Sequence, residues 1–122
     1  MFVIAIYGRY QIVKQTRLYL PATTDAVRAL GAQIAAARRE LGWTATDLAG
    51  RLGVTPRLVT RIEKGSPSPA VGVVLEAAII CGVPLFGVDA DQLGDVADRQ
   101  RGRLALLPDR VRHKSIEIDD DF

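Results

Sequence analysis

The amino-acid sequence predicts an all-α fold of five helices, and three observations lead to that prediction. Apolar residues make up 48% of the chain and aromatic residues only 6%, so the core has to be aliphatic and rich in alanine, which favours helix over sheet. Apolar residues recur at helical spacing along much of the chain. Threonine, serine or aspartate precedes these segments, and glycine or proline follows them, as helix caps and stops do.

The N-terminal arm (1–22) departs from this pattern. It is β-branched and aromatic as far as about residue 20, with Gly8 as a break, which predicts one or two short strands or an extended segment. A start codon upstream of the native one, which would add a non-native leader, is the alternative interpretation. The first helix is expected to use Thr23 or Thr24 with Asp25 as caps and to end at Gly42. Its apolar stripe is formed by Val27, Leu30, Ile34, Ala37 and Leu41.

Two short helices that cross tightly are predicted next. Thr44 is the expected N-cap of a helix over about 45–52, and Gly53 follows it as the residue that adopts a left-handed backbone. Thr55 is the expected N-cap of the next helix, which a proline begins. The small Ala49 allows a close approach, and the apolar sides of both helices are formed by Leu48, Leu52, Val54, Leu58, Val59 and Ile62. Short polar groups and cations remain on the outer face: Thr55, Pro56, Arg57, Thr60, Arg61 and Lys64.

Two further helices and a tail complete the prediction. Ser68 is the expected N-cap of a nearly all-apolar fourth helix, which begins at Pro69, ends at Gly82 and is placed at the centre of the core. A fifth helix is expected to open at Asp89 or Asp91 and to end before Pro108. The resulting boundaries are an arm (1–22), a helical domain (23–88), the fifth helix (89–108) and a flexible acidic tail (109–122).

The stretch over 44–65, TATDLAGRLGVTPRLVTRIEKG, resembles the Cro/repressor-like (XRE) helix-turn-helix family. The resemblance rests on the spacing of four residues and on a closing tetrapeptide: Ala49, Gly53, Val54 and Ile62, then Ile62-Glu63-Lys64-Gly65. It extends from residue 30 to about Leu85, and the run from ARRELGWTATDLAGRLGV through EAAIICGVPLF is similar to HipB-type antitoxins, which are partnered with a HipA-like kinase toxin.

The resemblance implies a five-helix lambda-repressor-like DNA-binding domain. It also implies a structural pair, because the family joins an arginine at the position of Arg38 to a glutamate at the position of Glu63. One departure concerns Ala45, which stands where the family often has a glutamine that binds a phosphate or orients a base contact. Alanine cannot make that contact.

The DNA-contacting residues follow from the way a helix-turn-helix docks. The second helix of the motif enters the major groove by its N-terminal end, and the first helix lies across the backbone. The expected base-reading residues are therefore Thr55, Pro56, Arg57, Thr60 and Arg61. Arg57 and Arg61 are the best candidates for bidentate hydrogen bonds to guanine, although a phosphate contact is equally supported for Arg61. The expected phosphate-binding residues are Thr44 at the start of its helix, the cation Lys64, and Ser66 and Ser68 at the head of the fourth helix.

The leading functional hypothesis is a sequence-specific transcription regulator that is the autorepressing antitoxin of a HipA-like kinase toxin. A homodimer on a palindromic operator in double-stranded DNA is expected, because one motif contacts few base pairs. The fifth helix, or a strand from either end of the chain, would join the dimer, unless that helix packs on its own core; its apolar residues are Leu93, Val96 and Leu107. The rival hypotheses are a stand-alone XRE-like regulator and an interaction module that no longer reads DNA, which Ala45 favours.

Charge is unevenly distributed along the chain. Residues 1–65 hold ten basic and four acidic residues, whereas 66–122 hold six basic and ten acidic residues, for a net charge of only +2. This uneven distribution of charge suits a basic N-terminal part that binds phosphate and an acidic C-terminal part that contacts another partner. The acidic tail with its terminal Phe122 is expected either to contact the toxin or merely to keep the protein soluble.

No catalytic, metal or cofactor site is predicted. His113 is the only histidine and has no activated nucleophile beside it, and three adjacent aspartates in a terminus, 119–121, are usually only solvated. The single Cys81 excludes an internal disulfide and a cysteine zinc cluster, and its apolar neighbours predict burial. The opening MFVIAIYG is too short to span a bilayer and lacks a secretory signal's basic region, so a cytoplasmic protein without a membrane partner is expected.

Overall fold

The structure is a computed structural model that describes residues 6–7, 10–11 and 18–113. The chain divides into two compact units, Met1–Val83 and Pro84–Phe122. The N-terminal unit carries a two-stranded ribbon and four α-helices, and the C-terminal unit carries a 3₁₀ turn and a fifth α-helix. The boundaries that the sequence suggests at 22, 88 and 108 stay predictions.

The N-terminal arm contains two very short strands, as its β-branched composition suggests. β1 (Ile6–Tyr7) pairs antiparallel with β2 (Tyr10–Gln11), so that Ile6 lies opposite Gln11 and Tyr7 opposite Tyr10.

The first helix, α1 (Pro21–Glu40), begins earlier than the sequence predicts. The expected caps Thr23, Thr24 and Asp25 lie inside its first turn, so that part of the prediction is wrong. Pro21 opens the helix instead, because its fixed φ is already helical and it has no N–H to satisfy. The N-cap position is Leu20, whose carbonyl accepts from the Thr24 N–H at 3.1 Å. At the other end Gly42, with φ +78°, stops the helix as predicted.

The core of the N-terminal unit lies where α1 meets three shorter helices. These are α2 (Ala45–Leu52), α3 (Pro56–Glu63) and α4 (Val71–Cys81), and the bounds of α2 and α3 match the sequence prediction. Ile34, Leu48 and Val59 are fully buried, one each from α1, α2 and α3. The remaining buried apolar residues are mostly small, which lets helices approach closely: Ala49, Ile62, Ala77, Ala78, Cys81 and Val83.

Cys81 is buried, as its apolar neighbours predict. Burial raises the pKa of its thiol, because the charged thiolate would lose its hydration. The thiol is therefore protonated and unreactive at neutral pH.

Two predictions about α4 are wrong. The helix begins at Val71 rather than Pro69, and Ala70 rather than Ser68 occupies the N-cap position. The helix is also less central than its composition suggests, because one face lies in solvent: Val71 is 73% and Ile79 is 41% exposed. Alanine and cysteine fill the buried face, so most of the larger aliphatic side chains are left at the edge of the core or outside it.

The C-terminal unit opens with a two-residue turn. Leu85 and Val88 exchange both main-chain hydrogen bonds, at 3.2 and 3.0 Å, around Phe86 and Gly87. Both central residues have positive φ, +54° and +74°, as in a type I′ turn. Phe86 is 79% exposed, although an aromatic residue adopts this conformation only at a cost in backbone strain.

Helical backbone in the C-terminal unit starts where the sequence predicts. Asp89 precedes a 3₁₀ turn (Ala90–Gln92) that leads into α5 (Leu93–Ala105). The helix ends sooner than expected, so Leu107 lies beyond it and is exposed. Leu93 and Val96 are half-buried, and α5 has no buried residue in the described part of the chain.

Residues 109–113, including His113, are exposed. The apolar and acidic residues expected to act in the tail, from Ile116 to Phe122, lie outside the described residues. None of the helices in the described ranges combines the length and the hydropathy that a membrane span requires.

Candidate nucleic-acid interface

Local chemistry sets the geometry of the α2–turn–α3 unit. The Thr44 hydroxyl accepts from the Asp47 N–H at 3.0 Å, and the Asp47 carboxylate accepts from the Thr44 N–H at 2.8 Å, which completes a capping box. Gly53, with φ +73°, reverses the chain, and the Val54 N–H donates to the Ala49 carbonyl at 3.0 Å. Thr55 then caps α3 by accepting from the Leu58 N–H at 3.2 Å. Both predicted caps are confirmed.

A buried ion pair fastens the end of α3 to α1. Arg38 donates from Nε to Glu63 Oε2 at 2.6 Å and from Nη2 to Oε1 at 2.9 Å, the bidentate geometry that arginine and carboxylate prefer. Arg38 also donates from Nη1 to the Trp43 carbonyl at 2.7 Å. The side chains of the pair are 10% and 11% exposed. The hydrogen bonds to Glu63 raise the pKa of Arg38 above its ordinary value, and the predicted structural pair is present.

Three residues of the closing tetrapeptide have a structural task, and the fourth, Lys64, projects into solvent. Ile62 enters the core and Glu63 holds Arg38. Lys64 is exposed at the C-cap position of α3. Gly65 is buried with φ +82°, and a Cβ atom there would lie 2.8 Å from Cα of Arg28, a main-chain atom that no rotamer change can move aside, so any side chain at this position is strained.

The outer face of α3 is free. Val59 and Ile62 face the core. All six residues predicted for the outer face are exposed: Thr55, Pro56, Arg57, Thr60, Arg61 and Lys64. Arg57 has no hydrogen-bond or ion-pair partner in the part of the chain that the structure describes. The Thr60 hydroxyl donates to the Pro56 carbonyl at 3.2 Å, so its oxygen remains an acceptor and its methyl group an apolar contact.

Arg61 reaches away from the N-terminal end of α3. Its Nη2 donates to the Ser68 hydroxyl, and the Ser66 and Ser68 hydroxyl oxygens lie 3.0 Å apart. The two serines do not cap α4, which begins only at Val71, so no helix N-terminus assists them. The structure instead places the Ser68 hydroxyl against the Arg61 guanidinium of α3. These two residues are seven positions apart, and no local sequence pattern predicts their contact.

Thr44 is exposed at the N-terminus of α2, where its hydroxyl proton is left to donate. Two hydrogen bonds with Thr44 lower the pKa of the Asp47 carboxylate below its usual value. The bond from the Thr44 main chain has the larger effect, and the bond with its side chain has the smaller one. This carboxylate brings a negative charge to the same helix end. An anion bound there therefore depends on the Thr44 hydroxyl and on the free N–H groups of the first turn.

Three features of the interface escaped the sequence prediction. One is the Arg61–Ser68 contact, and the second is a cation–π contact in which the Arg51 guanidinium lies 4.0 Å from the centroid of the Trp43 ring. The third is Gly31, at which a Cβ atom would collide with the main chain at the end of α3. A glycine in the middle of a helical pattern was the only available signal for this close approach.

No group of three or more metal-binding side chains comes together within the described residues. His113 is exposed, and Cys81 is buried as a protonated thiol. The tail aspartates at 119–121 lie outside the described ranges.

The fold and the free polar face of α3 define a helix-turn-helix protein that binds DNA. A family model described as a helix-turn-helix domain matches residues 29–100, more than half of the chain. The chain therefore belongs to the helix-turn-helix domain family, and it is a DNA-binding regulator of the general XRE-like kind. The comparison with curated proteins found no match.

The capping box gives the stability of α2 a testable pH dependence. Because the folded pKa of Asp47 is depressed, its capping contribution is complete above the unfolded pKa of about 3.9 and is lost as the pH falls through the folded value. Asp47→Asn should therefore be less stable than wild type at pH 7, and the difference should shrink towards pH 2.5 in urea denaturation followed by circular dichroism.

The matched control is Thr44→Ala, which removes the other half of the box and keeps the main-chain donor of residue 44. Most of its deficit, about 1 kcal/mol for a lost N-cap, should persist at low pH, because the Asp47 N–H that loses its acceptor does not titrate. A deficit of Asp47→Asn that stays constant across the pH range contradicts the prediction.

Proposed function

We propose that the protein is a sequence-specific transcription regulator that binds a palindromic operator as a homodimer. The observation that carries the proposal is the exposed face of α3, where short polar groups and cations project while the opposite face is buried. Exposed cations are usual on the solvent side of a surface helix. It is the helix-turn-helix geometry of α2 and α3 that would place this side of α3 in a major groove.

Arg57 is the proposed principal base reader. It lies in the first turn of α3, the part that a helix-turn-helix inserts deepest, and its five N–H donors are unengaged among the described residues. Guanine O6 and N7 match this bidentate donor. Thr60 contributes an acceptor and a methyl group one turn further on, and Thr55 and Pro56 line the same end.

The proposed phosphate contacts flank this reading end. Thr44 lies at the N-terminus of α2, and Lys64 lies just beyond α3. Arg61 belongs with the phosphate contacts rather than the base contacts, because its guanidinium is held at the 66–68 loop. Ser68 accepts from Arg61 there and is hydrogen-bonded to Ser66, and the hydroxyl that accepts in that serine pair keeps its own proton to donate.

The proposal predicts different effects on DNA binding for the alanine variants of Arg57 and Lys64. Arg57→Ala should weaken binding to the operator by about 1–3 kcal/mol and leave binding to random duplex nearly unchanged. Lys64→Ala should weaken both equally and lower the slope of log affinity against log salt by about one. Fluorescence anisotropy on DNA upstream of the protein's own gene and on random duplex, at several salt concentrations, measures both effects.

Arg57→Lys is the matched control, since it keeps the charge and loses the bidentate fork. It should retain random-duplex binding and lose discrimination. Equal losses on both DNAs for Arg57→Ala and Lys64→Ala would remove the assignment of base reader and phosphate contact. A wild-type protein that binds upstream and random DNA equally well would favour the interaction-module hypothesis instead.

The dimer is proposed to form through the segment that contains α5. Leu107 is 59% exposed just beyond this helix, so aspartate can replace it without entering a core. In sedimentation-velocity runs at micromolar concentration the wild type should be a dimer and Leu107→Asp a monomer. A monomeric wild type would contradict the proposed dimer. A dimeric Leu107→Asp variant would contradict only the proposal that the dimer forms through the α5 segment.

The proposed cellular role is that of an autorepressing antitoxin for a HipA-like kinase toxin. The resemblance of the run from residue 37 to residue 86 to HipB-type antitoxins supports it, as does the excess of acidic residues after residue 65. Co-purification with the product of an adjacent kinase-like gene, followed by binding of the complex to the shared promoter, tests it. The alternative is a stand-alone XRE-like regulator, for which no such neighbouring gene product binds.

A further inference from the structure

The segment 66–70 lies between α3 and α4 and carries two Ser-Pro dipeptides. It has no helical or strand structure, and Ser68 is exposed within it. The proline ring disfavours helical backbone at the residue before it, and each of the two serines precedes a proline. Ser68 thus presents an accessible hydroxyl in a segment without helix or strand.

The Ser68 hydroxyl oxygen is also the acceptor of the Arg61 guanidinium. Ser66 is half-buried, and its hydroxyl oxygen already accepts from the Ser68 N–H at 3.3 Å. Of the two serines, Ser68 is therefore the one that is both exposed and joined to a cation of the DNA-binding face.

We propose that Ser68 is a phosphorylation site, and that its phosphoryl group captures Arg61 and turns DNA binding off. This inference rests on the proposed function, since it describes the regulation of the same surface. The donor is ATP, bound by a protein serine kinase. The Ser68 hydroxyl oxygen attacks the γ-phosphorus, the bond from that phosphorus to the β-phosphate oxygen breaks, ADP leaves, and the hydroxyl proton passes to a base of the kinase.

Charge and geometry explain the switch. A phosphoserine carries a charge of about −1.5 to −2 and three strong acceptor oxygens. Arg61 already lies beside the oxygen that would bear the phosphoryl group, so its guanidinium can reach the phosphate oxygens by a change of side-chain rotamer. The captured arginine can no longer bind a DNA phosphate, and the added charge offsets the remaining cation of this edge, Lys64.

The capture can be tested without DNA. Phosphoserine is installed at position 68 of the full chain during translation, and its second ionisation is followed by phosphorus NMR. Pairing with the guanidinium should lower this pKa below the ordinary value of about 6, and the shift should vanish in Arg61→Ala. Equal pKa values in the two proteins overturn the capture.

The switch itself is tested on DNA. Phosphoserine at 68 should lower affinity for both upstream and random duplex at least about ten-fold at moderate salt, because it removes a phosphate contact and adds repulsion. The loss should be smaller in the Arg61→Ala background. Phosphoserine at Ser115, which adds the same net charge, is the control and should change affinity much less.

The outcomes separate the two proposals. If the unmodified protein shows no preference for upstream DNA, the proposed function fails while the NMR result still decides the capture. If the unmodified protein binds and phosphoserine at 68 does not weaken it, only the switch fails. Phosphopeptide mapping of the protein from its own cells should find phosphate on Ser68 in at least one growth condition, and unmodified Ser68 in every condition overturns the site.

Discussion

Replacing Arg38 by alanine is expected to lower the free energy of unfolding by about 3–5 kcal/mol. The substitution leaves the Glu63 carboxylate, whose side chain is only 11% exposed, without its two guanidinium hydrogen bonds. It also removes the hydrogen bond to the Trp43 carbonyl. The penalty is that of a desolvated charge left unpaired, which exceeds the net contribution of the pair itself. Chemical denaturation at neutral pH measures it directly.

Arg39→Ala is the matched control, because Arg39 is the adjacent residue of α1 and is exposed. Its effect should stay within about 0.5 kcal/mol. The double variant Arg38→Met with Glu63→Leu should recover much of the loss, since both charges leave the site together. An Arg38→Ala protein as stable as wild type would show that the ion pair does not fasten α3 to α1.

Replacing Gly31 by alanine is expected to cost about 1–3 kcal/mol, although alanine is the better helix former. A Cβ atom at this position would collide with the Ile62 carbonyl oxygen and lie 2.9 Å from that of Glu63. Both obstacles are main-chain atoms, which no rotamer change can move aside. The end of α3 must therefore shift away from α1, so operator affinity should fall together with stability.

Gly50→Ala supplies the matched control for the same chemical change. Gly50 lies in α2, and a Cβ atom there meets nothing within 4 Å. That substitution should stabilise the protein by about 0.5–1 kcal/mol through helix propensity alone. If Gly31→Ala were stabilising to the same extent, the close approach of α1 and α3 would not limit the packing.

The sequence predicts the helix-turn-helix well because its determinants are local. Thr44, Gly53 and Thr55 act within a few residues of where they stand, as caps or as a left-handed turn, and the bounds of α2 and α3 follow from them. The exposed face of α3 follows from the same bounds and from helical periodicity. These predictions needed no knowledge of distant contacts.

Some failures occur where a distant group changes the local preference, and one occurs where two local signals compete. Serine is a preferred N-cap residue, yet the Ser68 hydroxyl accepts a hydrogen bond from Arg61, and α4 begins only at Val71. The threonines near the start of α1 lose their expected role because Pro21 initiates the helix first. The partial exposure of α4 depends on which of its apolar residues face α1 and α2, which composition alone does not determine.

The Arg38 guanidinium joins three places at once: α1, the end of α3 and the loop before α2. This attachment at three places leaves α3 little freedom to shift against α1. If α3 reads an operator as proposed, any misfit has to be accommodated by the duplex, through changes in groove width, twist or bend that depend on base sequence. We therefore expect discrimination to extend to central base pairs that no side chain touches, with stiff and flexible spacers of equal length differing in affinity.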